Sequence, residues 1–97
     1  IVDVLQNANP NITIIIELMA PGHSNMMTPE LTTYFEQLQQ GVVTICEEQT
    51  SSNSSVVAVD MYTGFSDAYL ADDVHYNATG ADFIAQRYYN LLATLLE

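Results

Sequence analysis

Two short β-branched runs on either side of one long amphipathic stretch constrain this chain more than any other feature. The first, Ile12 to Met19, is almost continuously apolar and is bounded by Pro10 and by Pro21-Gly22, the pattern of a strand buried on both faces of a parallel sheet. The second, Ser55 to Met61, centres on Val56-Val57-Ala58-Val59 and ends at Asp60. Between them, Thr28, Pro29 and Glu30 supply a hydroxyl cap, a proline at the first helical position and an acid against the helix dipole. Leu31, Tyr34, Phe35, Leu38, Val42, Ile45 and Cys46 then recur at the spacing of one helical face. Strand, helix and strand in this order make a right-handed crossover between parallel strands, so the expected fold class is α/β.

The flanks extend the pattern. Ile1, Val4 and Leu5 share a helical face, and Asn9-Pro10-Asn11 ends that helix in a turn. Tyr62 to Tyr76 keeps no sustained period and reads as a loop beyond the carboxyl end of the second strand, where open α/β sheets gather ligands and catalytic groups. Asn77 or Thr79 caps a last helix whose inward face is Ile84, Tyr88, Leu91, Leu92 and Leu95. No repeat or linker divides the 97 residues, which are read as one unit, 1–97.

Charge narrows the partners. The formal net charge is −11 with Arg87 as the sole cation, a balance that repels phosphate backbones and anionic lipid, so neither nucleic acid nor a membrane surface is an expected partner. A hydrophobic content of 48% argues against disorder. Ile12 to Ala20, broken by Thr13 and Glu17, falls short of the roughly 20 residues a membrane span needs. Ile1-Val2-Asp3-Val4-Leu5 has no basic region or cleavage site and is not itself a signal peptide. Cys46 lies on the apolar helix stripe, which favours a buried structural thiol over a nucleophile, and a single cysteine leaves the redox compartment open. With His23 and His75 far apart and no cysteine cluster, no metal site and no cofactor are expected. Asn11, Asn53 and Asn77 begin N-x-S/T sequons, read as chance matches because Asn11 leads into a strand expected to be buried.

Chemistry concentrates in Asp72-Asp73-Val74-His75-Tyr76-Asn77-Ala78-Thr79-Gly80. A histidine serves as general base for a hydroxyl nucleophile when one ring nitrogen faces that hydroxyl and the other is held as N–H by a carboxylate. Asp72, three residues before His75, can fold back on a turn to do this; Asp73, two before, is less well placed. Such a pair, taken by spacing alone, is more often a solvated surface feature than a catalytic one.

The segment resembles the last sequence block of the SGNH/GDSL hydrolase family, in which D-x-x-H is followed by Asn two residues after the histidine and Gly three residues later. Asp72, His75, Asn77 and Gly80 all match, while Tyr76 stands where proline is common. The order of elements resembles the family as well. The resemblance implies the C-terminal part of a three-layer, flavodoxin-like fold with a parallel sheet. It also implies ester hydrolysis through a serine acyl-enzyme, with His75 as general base and acid and Asp72 orienting it. The family's serine block and oxyanion-hole blocks have no counterpart in these residues. The nucleophile is therefore expected from a missing N-terminal portion or a partner chain, and this chain alone is expected to be inactive. The substrate would be an acyl ester or an acetylated carbohydrate ester, and the family suits a secreted or periplasmic setting, although no residue here encodes a destination.

Ser24, in Pro21-Gly22-His23-Ser24-Asn25, lies in no G-x-S-x-G elbow and is expected to line the mouth of the site rather than attack; His23 reads as an exposed loop histidine. Tyr34 and Tyr88 fall on core faces, whereas Tyr62, Phe65 and Tyr69 are candidates for lining a substrate pocket. Two strands and three helices cannot bury both faces and both edges of a sheet, so something must complete it. The rival reading, from a different class, is a non-catalytic α/β assembly or binding fragment that oligomerises through its exposed sheet edge, with Asp72 and His75 as a structural pair.

Overall fold

The computed structural model describes residues 1–96. Helix α1 (Val2–Ala8) leads to strand β1 (Ile14–Leu18), a 3-10 turn (Ser24–Met26), helix α2 (Pro29–Gln49), strand β2 (Val56–Asp60), a second 3-10 turn (Asp67–Tyr69) and helix α3 (Ala78–Leu95). The strands pair in parallel, from Ile14 opposite Val56 to Leu18 opposite Asp60. This is an α/β unit, as the alternating pattern predicts.

Local chemistry sets the boundaries. The Leu31 N–H donates to Thr28 Oγ1 at 3.2 Å, and Pro29 occupies the first turn of α2. At the other end Thr50 is extended, and its hydroxyl receives the Val56 N–H at 2.9 Å and donates to the Val56 carbonyl at 3.0 Å, so the helix exit fixes the start of β2. Ser54, buried between them, donates to the Ile12 carbonyl and accepts from Gln6 Nε2, which also reaches the Gln49 carbonyl at 2.8 Å. One glutamine thus ties α1 to the junction between α2 and β2.

The buried core is small: Phe35, Cys46, Val56, Val59 and Met61. It sits where α2 packs on β2. Cys46 is buried, as its place on the stripe predicts, and burial pushes its thiol pKa up, with Glu47 adding to the rise. Three expectations need correction. Every residue of β1 is only half-buried, because β1 pairs with β2 on one edge and no strand lies on the other among the described residues. Tyr34, on the α2 stripe, is 57% exposed, and Leu38 and Ile45 are exposed too, because a two-stranded sheet is narrower than the stripe laid against it. Leu92 of α3 is exposed for the same reason.

The molecule is correspondingly open. Its accessible surface is 6341 Å², against about 5,500 Å² for a compact monomer of this mass. Its radius of gyration is 15.1 Å, where about 12.5 Å is usual for this length.

Candidate active site

Asp72 and His75 lie in a tight turn after the second 3-10 turn. Leu70 and Tyr76 form an isolated antiparallel bridge, and the Ala71 N–H donates to the His75 carbonyl at 2.7 Å, closing the loop between them. Inside it, Asp72 Oδ1 accepts the backbone N–H of Val74 at 2.9 Å and of His75 at 2.7 Å. These bonds hold the carboxylate so that Oδ2 meets His75 Nδ1 at 2.8 Å. The spacing of three residues achieves this because the side chain and the backbone close the same turn.

The electrostatics follow from those donors. The N–H groups of Val74 and His75, then the His75 ring, hold the Asp72 carboxyl at about 2, below its ordinary 3.8. An ionised carboxylate only accepts hydrogen bonds, so Nδ1 carries the proton and Nε2 of neutral His75 presents its lone pair. The His75 side chain is 77% exposed, leaving Nε2 open to a reacting group. Asp73 is exposed and contributes its backbone carbonyl, which accepts the His23 N–H at 2.9 Å.

Asn77 and Gly80 position this turn. Asn77 Oδ1 caps α3 by accepting the Gly80 N–H at 2.9 Å, while Nδ2 donates to the Ala68 carbonyl at 2.7 Å. The Asn77 N–H donates to the Tyr69 carbonyl at 2.9 Å. Gly80 is buried against the same residue: a Cβ there would collide with the Tyr69 carbonyl oxygen, so only glycine lets α3 approach the 3-10 turn this closely. Among the sequons, Asn77 has both ends of its amide occupied in this way. Asn11 is exposed, contrary to the expectation that burial disfavours it.

A second cluster fastens the loop after β1 to the same region. Asp67 receives the Ser24 N–H at 2.8 Å on Oδ1 and the Ser24 hydroxyl on Oδ2, and His23 Nε2 stands 3.5 Å from Oδ2. The Ser24 hydroxyl, its N–H and the nearby His23 lower the Asp67 pKa. Ser24 is exposed, but its hydroxyl donates to a carboxylate and no histidine accepts its proton, so it is not an activated nucleophile. His23 is half-buried and paired with Asp67, not a free loop histidine, because the 3-10 turn after β2 brings Asp67 to it.

The aromatic residues of the loop pack more than they line. Phe65 meets Tyr69, Tyr76 and Phe83 at centroid distances of 5.4, 5.9 and 5.7 Å, a cluster that supports the His75 turn from beneath. Tyr62 contacts Phe35 of α2. Tyr88 donates to Glu17 Oε1 at 2.7 Å; its half-buried setting, then that bond, pushes its hydroxyl up to about 12. Arg87 lies over the Phe83 ring and donates to the Asp60 and Thr63 carbonyls at 2.8 and 2.9 Å. Burial raises the Asp60 pKa, but the hydrogen bonds of Thr63 and Tyr62 and the Arg87 charge outweigh it and lower the carboxyl overall. Sequence reading missed Asp67 and Arg87 as site supports. No motif marks Asp67, whereas a sole cation in a chain of net charge −11 was a signal for Arg87.

Comparison with known proteins adds the context. No family model and no curated protein matches the chain. The fold matches a crystal structure of a carbohydrate esterase family 3 protein from Talaromyces cellulolyticus, with a TM-score of 0.80 and 26% identity, over 96% of this chain and 44% of that one. It also matches a crystal structure of an acetyl esterase mutant with acetate ion, with a TM-score of 0.78 and 27% identity over the same shares. The chain therefore has an esterase-like α/β fold, matches its C-terminal part, and spans less than half the length of the structures it resembles.

Proposed function

We propose that residues 1–97 form the Asp-His part of an SGNH/GDSL-type serine esterase, and that the nucleophilic serine and oxyanion hole come from polypeptide outside these residues. The observation that carries this reading is the 2.8 Å bond from His75 Nδ1 to an Asp72 carboxylate fixed by two backbone N–H groups, with Nε2 left open. Nε2 takes the proton of the attacking serine hydroxyl, and the imidazolium, stabilised by Asp72, returns it to the departing alcohol as the tetrahedral intermediate collapses. Water then attacks the acyl-enzyme by the same route, releasing the acid and the free serine. The names of the two similar structures, a carbohydrate esterase and an acetyl esterase with acetate, support acetyl esters of carbohydrates as the substrate class.

The test is hydrolysis of an aryl acetate and of an acetylated oligosaccharide by the complete translation product that contains residues 1–97. His75→Ala is expected to lower kcat by about 10³-fold or more with little change in KM. Turnover unchanged by His75→Ala contradicts the assignment. The non-catalytic assembly reading draws its support from the unpaired edge of β1, and it is the reading that remains if the complete product hydrolyses neither ester.

A further inference from the structure

The hydrogen bonds inside the Asp72–His75 turn give it a shape but do not fix where it points. Every residue from Asp72 to His75 is exposed, so packing holds little of it. Among the described residues, one hydrogen bond reaches these four from outside residues 67–80: the His23 N–H donates to the Asp73 carbonyl at 2.9 Å. The approach is close, since a Cβ on Gly22 would stand 3.3 Å from the same carbonyl oxygen. The residue next to Asp72 therefore rests on the backbone of the loop that leaves β1.

Asp67 holds that loop. Its Oδ1 accepts the Ser24 N–H at 2.8 Å and its Oδ2 accepts the Ser24 hydroxyl. His23 Nδ1 accepts the Asn25 N–H at 3.3 Å, so neutral His23 carries its proton on Nε2, which faces Asp67 Oδ2 at 3.5 Å. Two consecutive residues thus turn three donors toward one carboxylate. Apart from the bonds to Asp67 and Asp73, residues 22–27 hydrogen-bond only among themselves and to Thr28, among the described residues. Asp67 also opens the 3-10 turn whose Ala68 and Tyr69 carbonyls accept from Asn77 at the base of the His75 turn. One side chain therefore joins the support at the base of that turn to the support at its tip.

We propose that Asp67 is a positioning residue for ester hydrolysis: by clamping Ser24 and His23 it keeps the His23 N–H on the Asp73 carbonyl, and so holds the Asp72–His75 turn with Nε2 aimed at the nucleophile. This rests on the esterase reading. Asp67 acts through His75 and takes no part in the proton transfers themselves. A displacement of about 1 Å at a general base is enough to cost about 100-fold in rate, so an exposed turn needs such a tether.

The experiment is steady-state hydrolysis of an aryl acetate by the complete translation product carrying Asp67→Ala, Asp67→Asn, His75→Ala, or Asp67→Ala together with His75→Ala. Asp67→Ala is expected to lower kcat by about 10- to 100-fold and to change KM by less than about twofold. Asp67→Asn keeps an oxygen for the Ser24 N–H and offers its amide to the Ser24 hydroxyl oxygen, so kcat is expected to recover to within about fivefold of the unsubstituted protein. On the His75→Ala background, Asp67→Ala is expected to lower the residual rate by less than about twofold, because no base is left to position. Should Asp67→Ala not fold, Ser24→Ala carries the same test with one donor removed: a loss of about 3- to 10-fold in kcat that is absent on the His75→Ala background. An equal loss on both backgrounds, the mark of a residue that only maintains the fold, overturns the proposal, and so does an unchanged kcat in Asp67→Ala. Turnover unchanged by His75→Ala alone defeats the esterase reading, so the two failures are told apart.

Discussion

At the residue scale the His75 turn depends on how Asp72 is held. Its three partners are Val74 N–H, His75 N–H and the His75 ring, so Asp72→Asn removes the acceptor and offers an amide N–H to the ring instead. The ring is then steered to the wrong tautomer, and kcat for ester hydrolysis is expected to fall by about 10³- to 10⁴-fold. Acid has a defined effect too. The folded carboxyl titrates at about 2, below its ordinary 3.8, so it stabilises the turn above pH 3.8 and loses that contribution as pH falls toward 2. Amide NMR of Val74 and His75 is expected to shift together in that window. The pair was legible in the sequence because its spacing matches a one-turn closure. Asp67 was not, because its partners Ser24 and His23 lie 43 and 44 positions away, and no local pattern encodes a contact made by topology.

At the element scale, two residues make the approach of α3 to the 3-10 turn possible. Gly80→Ala places a methyl against the Tyr69 carbonyl and is expected to cost about 2 kcal/mol, read as a lowered denaturation midpoint of the complete protein. Asn77→Ala removes the cap and the bond to Ala68, and is expected to cost about 1 to 2 kcal/mol and to lower kcat, since the same residue fixes the base of the His75 turn. Thr28→Ala, which removes the cap of α2, is expected to cost about 1 kcal/mol, read as a lowered denaturation midpoint. The boundaries of α2 and the existence of both strands were readable from capping residues and periodicity. The exposure of Tyr34 and Leu38 was not, because a helical stripe shows which face is apolar but not how much sheet is present to cover it.

At the scale of the whole molecule, an excess of surface, a large radius of gyration and a half-buried β1 describe a unit that does not enclose its own core. Residues 1–97 expressed alone are expected to melt without a cooperative transition and to associate at micromolar concentration. Parallel pairing and fold class followed from the alternation of strand and helix. The central claim is that His75, oriented by Asp72, activates a serine. It is tested most directly by the rate at which a fluorophosphonate modifies the complete translation product, followed by intact mass. One adduct per protein is expected, on a serine outside residues 1–97, formed at least about 100-fold more slowly in His75→Ala. No adduct, or one formed as fast without His75, contradicts it.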